Sequence, residues 1–236
     1  MSRRQLYQLA FVAMIIDHIG YFFYEIPCYE LFRWIGRLAF PIFAFFLVEG
    51  YFHTHDLKKY KLRLFYGTVI IWILEIGRTM IHFFLNGILP WNFWDFFTGT
   101  LFDTNIFFTM LCGLYFLEGL DELKEKQARS ILMILCSSML MIGFAEYGFY
   151  AWSYFFIFYC FRDTKLKFLI SFLFFGIYSL LIGNTMQFFM IFANIPLFFY
   201  DGSLGKPFQN KYLFYWMYIG QLLLFYLVSD LYYGLL

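Results

Sequence analysis

The sequence of 236 residues has few charged residues, few prolines and no excess of either charge. Only 14% of the residues are charged, 5 are prolines, and the formal net charge is +1. Soluble domains carry about 25% charged residues, so this chain lacks the polar surface of that class of protein. The balanced charge argues against nucleic acid as a partner, because nucleic-acid-binding surfaces are strongly basic.

Cysteine is also scarce. The 4 cysteines have no CxxC spacing and three lie in or near apolar runs, so we assign no disulfide and no metal site. No polar segment exceeds about twenty residues, which is too short for a separate soluble domain. We therefore predict a single domain over residues 1–236.

Apolar and aromatic residues are abundant instead. The hydrophobic fraction is 62% and the aromatic fraction 27%, including 37 Phe and 20 Tyr. A membrane-spanning helix needs roughly 17–25 mostly apolar residues, and the sixth, seventh and eighth candidate runs are short. We therefore predict an all-α transmembrane helix bundle of eight or nine spans. The candidate runs are 6–24, 33–52, 64–85, 104–118, 130–145, 148–161, 168–182, 186–200 and 212–234.

Basic residues concentrate in every second loop. Under the positive-inside rule, this alternation places the N-terminus in the cytoplasm and predicts a multi-pass protein of the cell membrane. Arg33 is the one basic residue in the opposite set of loops. The basic positions are Arg3, Arg4, Lys58, Lys59, Lys61, Arg63, Lys124, Lys126, Arg129, Arg162, Lys165, Lys167, Lys206 and Lys211.

Residues 89–100 include Trp91 and Trp94 beside Asp95. Because tryptophan prefers the membrane interface, we expect this segment to lie along the interface. No internal repeat stands out, which argues against an inverted-repeat transporter.

Ionisable side chains inside the predicted spans are costly and are therefore candidates for a functional site. At 1.5 Å per residue, His18 lies roughly 20 Å from the inner end of its span, and Glu75 lies at about the same depth. Arg37, Arg78 and Asn105 fall in the same outer half. Together with Asp17, these residues are predicted to share one layer of the bundle.

Within this layer the pairing is constrained by helix geometry. Asp17 and His18 are adjacent, about 100° apart around a helix, and do not face each other. We therefore expect Asp17 to pair with Arg37, and His18 to bond Glu75 or a backbone carbonyl. A neutral, oriented histidine is a competent general base near pH 7.

Each of these residues also has a purely structural interpretation. Arg37 could extend to lipid headgroups, and His18 could be a polar contact that holds helices together. Glu75 and Arg78, three residues apart, could simply pair with each other. His53 lies at a loop, where solvation is the default, and the lysines that follow it could be only a topology signal.

Several long motifs resemble the TraX family, and the likeness covers most of the chain. The two most specific are MIIDHIG at 14–20 and IGRLAFPIFAF at 35–45. The other matching segments are FLVEGY at 46–51, His53-Thr54, Tyr60 with Arg63-Leu64, NIFFT at 105–109, EYG at 146–148, Pro196-Leu197, YDG at 200–202 and LFYWMY at 213–218.

The resemblance implies an activity. The best-known member of the TraX family acetylates the N-terminus of F pilin in conjugation, and the family is similar to the wider transmembrane acyltransferases. These take acetyl from cytosolic acetyl-CoA and deliver it to an acceptor across the membrane. A histidine near the outer end of the first helix is thought essential in that group, and His18 occupies this position.

The resemblance also implies roles for individual residues. The acceptor is expected to be a pilin-like peptide N-terminus or an exported glycan, His18 its base, and Arg37 or Asn105 the donor that stabilises the oxyanion. The expected catalytic residues are His18, Asp17, Arg37, Glu75 and Asn105; the acetyl-CoA-binding residues are Glu49, His53, Thr54, Lys59 and Arg63; the acceptor-binding residues are Arg78, Tyr215 and Gln221.

The sequence departs from the family pattern near its end. The family's last helix contains Tyr-Pro-x-His-Leu, whereas this chain has Tyr218-Ile219-Gly220-Gln221-Leu222. Gln221 keeps a hydrogen-bonding group in place of the histidine. If that histidine is needed for chemistry, the protein is altered or is an inactive membrane scaffold. A transporter or ion pathway is the other alternative, because buried charges at one depth also mark such pathways.

Overall fold

The computed structural model describes residues 1–86, 105–125, 127–203 and 213–234. Within these ranges the chain is helical and contains no strand, which confirms the predicted all-α class. The helices are α1 Arg3–Phe22, α2 Tyr29–Gly36, α3 Ala39–His53, α4 Leu57–Asn86, α5 Ile106–Lys124, α6 Arg129–Phe144, α7 Gly148–Cys160, α8 Leu166–Ile182, α9 Thr185–Phe188, α10 Asn194–Phe198 and α11 Leu213–Tyr232, with a 3₁₀ turn at Phe189–Ala193 between α9 and α10.

The described residues of each predicted apolar run lie largely in helix, but two runs are interrupted. The run 33–52 is divided by a turn between α2 and α3, and Pro41 lies in the first turn of α3, where its missing N–H is tolerated. The run 186–200 is divided into α9, the 3₁₀ turn and α10. The predicted interfacial segment 89–100 lies outside the described residues, as do Lys126, Lys206 and Lys211.

Helix ends carry the residues that satisfy unpaired backbone groups. Ser2 and Gln5 form a capping box at the start of α1. Asn105 caps α5 by accepting a hydrogen bond from the Phe108 amide. α8 ends at Gly183, whose φ of 73° is left-handed and favours glycine.

The chain falls into two compact units. The first comprises Met1–Phe45 and Cys160–Tyr233, and the second comprises the described residues of Phe46–Tyr159 and Gly234–Leu236. α3 contributes its first seven residues, 39–45, to the first unit and the remainder to the second. The single domain predicted over residues 1–236 stays a prediction.

Close helix packing in each unit depends on glycine. In the first unit, a Cβ at Gly20 of α1 would lie 2.7 Å from the Tyr29 carbonyl oxygen of α2. In the second unit, a Cβ at Gly113 of α5 would lie 2.5 Å from Cε2 of Phe155 on α7. Both contacts are possible only because no side chain intervenes, as is common where helices pack through small residues.

Two helical stretches of the described chain are long and apolar enough to cross a membrane. These are Tyr29–His53, of 25 residues with a mean hydropathy of 1.7, and Leu57–Leu85, of 29 residues with a mean hydropathy of 1.5. Arg129–Phe144, Leu166–Ile182 and Thr185–Phe198 are apolar but shorter.

Candidate functional site

A buried ion cluster joins α1 to α2 in the first unit. Arg37 Nη2 donates to both carboxylate oxygens of Asp17, at 2.7 and 2.9 Å. Arg33 Nη1 donates to Asp17 Oδ2 at 2.6 Å and also reaches the Asp17 carbonyl at 3.3 Å. Asp17 and Arg37 are 6% and 4% exposed, so their charges are stabilised by one another rather than by water. The predicted Asp17–Arg37 pair is confirmed.

The sequence explains why this cluster forms. Arg33 and Arg37 are four residues apart, at the end of α2 and just beyond it, so both project toward the same helix. Between them, Gly36 faces α1, and a Cβ there would lie 2.1 Å from Cβ of Asp17. The glycine therefore leaves the space that the Asp17 side chain occupies.

His18, the next residue on α1, contacts the last helix. Its Nδ1 lies 3.0 Å from Nε2 of Gln221 on α11. Three aromatic rings surround the imidazole, those of Phe22, Tyr218 and Phe225, with ring centroids 5.9–6.2 Å away. His18 is thus held by one hydrogen bond inside an aromatic surrounding.

Two expectations about this site need correction. The predicted partner of His18, Glu75 or a backbone carbonyl, was wrong: the hydrogen-bonding group at Nδ1 is the Gln221 amide. Arg33 was treated as an exception to the loop charges, whereas it is a member of the cluster. The spacing of Arg33 and Arg37 was the signal that could have identified it.

Other predicted catalytic residues belong to the second unit. Asn105 is 1% exposed; its Oδ1 accepts from the Phe108 amide and its Nδ2 donates to the Thr68 carbonyl at 3.1 Å. These hydrogen bonds join α5 to α4, so Asn105 has a structural role. Glu75 is buried on α4, and Arg78 is half-buried one turn further along. The layer predicted to unite these residues with His18 stays a prediction.

The expected acetyl-CoA-binding residues lie around the junction of α3 and α4. His53 Nδ1 lies 2.8 Å from the Glu49 carbonyl oxygen, and Thr54 follows in the short connection. The Lys59 amide donates to Asp56 Oδ1 at 2.9 Å, and Lys59 Nζ lies 3.1 Å from Oδ2. Hydrogen bonds from the Lys59 backbone and side chain hold the pKa of Asp56 below its usual range.

Among these residues, Arg63 has a buried side-chain donor without a described hydrogen-bond partner. Its guanidinium carbon lies 5.4 Å from the centre of the Tyr60 ring, a cation–π arrangement. Its Nε is buried and has no hydrogen-bond partner among the described residues. A buried N–H without an acceptor is costly, so this atom is suited to an anion.

The second unit also contains a polar cluster that the sequence did not predict. Asp121 on α5 accepts from Tyr51 OH at 2.8 Å and from Tyr159 OH. Lys124 Nζ donates to the same carboxylate at 3.3 Å and lies over the Tyr159 ring. These contacts join the ends of α3, α5 and α7. Acidic residues near a helix end are usually solvated, so the sequence carried no clear signal for them.

The expected acceptor-binding residues are distributed over both units. Gln221 lies beside His18 in the first unit, and Tyr215 is half-buried on the same helix, α11. Arg78 belongs to α4 of the second unit. Gln221 contacts the predicted catalytic residue His18.

Comparison with known proteins is consistent with these motifs. The TraX protein family matches residues 2–229. A Dichelobacter nodosus protein named "Probable fimbrial assembly protein FimC, serogroup H1" is 27% identical over 245 residues, covering 92% of this chain and 91% of that protein. An uncharacterized protein of Rickettsia prowazekii (strain Madrid E) is 33% identical over 96 residues, covering 34% of this chain and 36% of that protein. No solved structure matches. Because the family match spans nearly the whole sequence, the chain belongs to the TraX family.

Proposed function

We propose that this protein is a multi-pass membrane acetyltransferase that moves acetyl from cytosolic acetyl-CoA to the N-terminal amine of a pilin-like peptide. The observation that carries the proposal is His18, held at Nδ1 by Gln221 and directly following the Asp17 of a buried ion cluster. A neutral histidine in an apolar surrounding is the side chain best suited to accept a proton from an amine.

The surface of the helices supports a membrane location. On α8, Leu173, Leu180 and Leu181 are 51%, 73% and 81% exposed. On α6, Leu132 and Met139 are 64% and 72% exposed. Rows of exposed large apolar side chains are unusual in monomeric soluble proteins and are typical of a surface that faces lipid. We therefore assign more spans than the two that qualify by length and composition alone, in line with the eight or nine runs of the sequence.

The junction of α3 and α4 supports binding of the donor. Acetyl-CoA carries phosphates, and the buried Nε of Arg63 has no hydrogen-bond acceptor among the described residues. Lys58 and Lys59 are exposed nearby in sequence and add positive charge. Bound acetyl-CoA supplies a thioester, whose carbonyl carbon is open to attack by an amine.

In this proposal His18 accepts a proton from the acceptor amine and later donates it. It takes the proton that the acceptor amine loses as its nitrogen attacks the carbonyl carbon, and it returns that proton to the leaving thiolate. The products are an N-acetylated peptide and free coenzyme A thiol. His18 therefore ends the reaction in the same protonation state in which it began. Asp17 and the two arginines hold α1 against α2 and thereby hold the backbone of His18 in place.

The nature of the acceptor is supported by the Dichelobacter relative, whose printed name refers to fimbrial assembly. A pilus subunit with a free N-terminal amine fits both that name and a histidine base. An exported glycan hydroxyl is the alternative acceptor. Arg37 and Asn105 are the two candidate oxyanion donors, and each also hydrogen bonds other groups in the structure.

The experiment that tests the proposal is acetyl transfer by the purified protein in detergent, from labelled acetyl-CoA to a peptide with a free N-terminus. We expect His18→Ala to lower the transfer rate by about 10²–10⁴-fold, the usual contribution of a general base. His55→Ala, which changes an exposed histidine of the connection before α4, is the matched control and is expected to leave transfer unchanged. Unchanged turnover in His18→Ala would overturn the assignment.

Donor binding is measured separately by calorimetry. Arg63→Ala is expected to weaken acetyl-CoA binding, whereas Arg162→Ala, a half-exposed arginine of the first unit, is expected to leave it unchanged. Absence of acetyl-CoA binding to the wild-type protein would refute the donor.

A second candidate, transport, is favoured by one observation. Broken helices line the substrate sites of many transporters, and Thr185–Phe198 is broken into two short helices and a 3₁₀ turn. Within it, Asn194 Oδ1 and Gln187 Oε1 are buried without a described partner. Ion or solute flux in liposomes by a protein that fails to transfer acetyl would support this alternative.

A further inference from the structure

The contact between His18 and Gln221 contains an unsatisfied atom. Gln221 Nε2 lies 3.0 Å from His18 Nδ1, while Gln221 Oε1 is buried and has no partner among the described residues. A buried oxygen acceptor without a donor is costly. A turn of the amide would put its NH2 group in that place instead, also without a described partner, so this atom does not by itself decide which end of the amide faces the imidazole.

The orientation of the amide decides which imidazole nitrogen carries the proton. With Nε2 of Gln221 facing it, Nδ1 of His18 is an acceptor and the proton resides on the histidine Nε2. A half-turn of the amide exchanges its oxygen and nitrogen, which have nearly the same shape. Oε1 then accepts from a protonated Nδ1, and the histidine Nε2 has a free lone pair.

The surroundings give this one hydrogen bond its importance. The rings of Phe22, Tyr218 and Phe225 lie around the imidazole, and they offer carbon faces rather than strong acceptors. Gln221 is the one hydrogen-bond partner of His18 among the described residues. A partner in a water-poor surrounding sets the tautomer of a histidine.

We propose that Gln221 is the positioning residue of His18: its Oε1 holds the proton on Nδ1 and leaves Nε2 as the nitrogen that accepts a proton from the acceptor amine. The inference rests on the proposed function, because a base at Nε2 requires this tautomer, but the tautomer is measured without any activity. It also gives the departure from the family pattern a physical meaning. An uncharged carboxamide orients His18 without adding a second titratable group.

The test uses the full chain in detergent micelles, labelled with ¹⁵N-histidine. The sequence has 4 histidines, and the His18 signals are identified by their loss in His18→Ala. We expect a pyrrole-type shift for Nδ1 and a pyridine-type shift for Nε2 in the wild-type protein. The opposite assignment in the wild type overturns the proposal, whatever the variants do.

Two substitutions sharpen this measurement. Gln221→Met keeps the length of the side chain but removes the acceptor, and we expect the His18 tautomer to shift toward protonated Nε2. Gln221→Glu keeps an oxygen acceptor and is expected to preserve protonated Nδ1. The matched control is Gln187→Met, because Gln187 also has a buried Oε1 without a described partner but lies on α9. An unchanged tautomer in Gln221→Met would refute the positioning role.

Kinetic measurements distinguish a role of Gln221 in orienting His18 from a role in packing alone. For Gln221→Met we expect kcat to fall by about 10–100-fold, the loss seen when the partner that orients a metal-binding histidine is removed, with KM unchanged. Gln221→Glu is expected to recover most of kcat. If acetyl transfer is absent altogether, the proposed function fails while the tautomer measurement still decides the role of Gln221. Equal losses in Gln221→Met and Gln221→Glu would indicate a packing role only.

Discussion

Asp17 in the first unit and Asp121 in the second are both held by side chains from other helices, but the donors differ. Asp17 is bound by the guanidinium groups of Arg33 and Arg37, and its side chain is 8% exposed. Asp121 is bound by the phenols of Tyr51 and Tyr159 together with Lys124, and its side chain is 36% exposed. One carboxylate balances permanent charges in a dry interior, and the other accepts hydrogen bonds at a half-exposed helix end.

The difference in donors predicts how much stability each protein variant loses when the aspartate is replaced by asparagine. Arginine stays charged in proteins, so removing the Asp17 charge leaves buried cations without their counterion. Phenols are neutral, so an amide oxygen can still accept their hydrogen bonds after Asp121 loses its charge. The first cluster is therefore an obligatory buried ion pair. The second is held mainly by hydrogen bonds, because its ion pair with Lys124 is solvent-exposed and contributes little.

The largest effect is expected for Asp17→Asn. The substitution keeps the shape of the side chain but removes its charge, and breaking a buried pair in this way costs about 3–5 kcal/mol. Unfolding in mixed micelles, titrated with a denaturing detergent and monitored by circular dichroism, measures the loss.

The control for this variant is Asp163→Asn, in the same unit, whose carboxylate is 91% exposed. A surface ion pair contributes little, so its free energy of unfolding is expected to be unchanged. Equal stability of Asp17→Asn and the wild-type protein would mean that the comparison of the two carboxylates is wrong.

A smaller loss is expected for Gly36→Ala. The added Cβ would lie 2.1 Å from Cβ of Asp17, so α2 must move away and lengthen the bonds from the arginines. Overpacking of this kind costs about 1–3 kcal/mol. Gly176→Ala on α8 is the control, because a Cβ there meets nothing within 4 Å, and alanine favours helix. A loss in Gly176→Ala as large as in Gly36→Ala would show that close packing at Asp17 is not the cause.

The sequence predicts contacts in this site between residues that are close along the chain better than contacts between distant residues. Asp17 and Arg37 were paired correctly, because opposite charges in neighbouring apolar runs must neutralise each other and helix periodicity excludes His18 as the partner. Gln221 is 203 residues from His18, and no local rule brings these two positions together. Its amide is uncharged, so charge balance does not require a particular partner for it.

The same limit applies to the fold. Long apolar runs predict helices because an unpaired backbone is costly away from water, and the described residues of each run lie largely in helix. The breaks at the α2–α3 turn and inside Thr185–Phe198 were not predicted. Hydropathy measures only how apolar the residues are, so it does not reveal a break between two apolar helices. Tertiary contacts such as the stacking of Trp34 on Phe189, with ring centroids 4.7 Å apart, fix such short segments instead.

The smallest effect is expected for Asp121→Asn. Asparagine keeps an oxygen that can accept from Tyr51 or Tyr159, so the expected cost is about 1 kcal/mol, the net value of one hydrogen bond. Combining it with Tyr51→Phe in a double-mutant cycle measures what the pair contributes beyond the two single changes. A coupling near zero would mean that the phenol lies beside Asp121 without stabilising it. A loss as large as that of Asp17→Asn would instead mean that the charge of Asp121 is as obligatory as that of Asp17, and that the neutral phenols do not distinguish the two carboxylates.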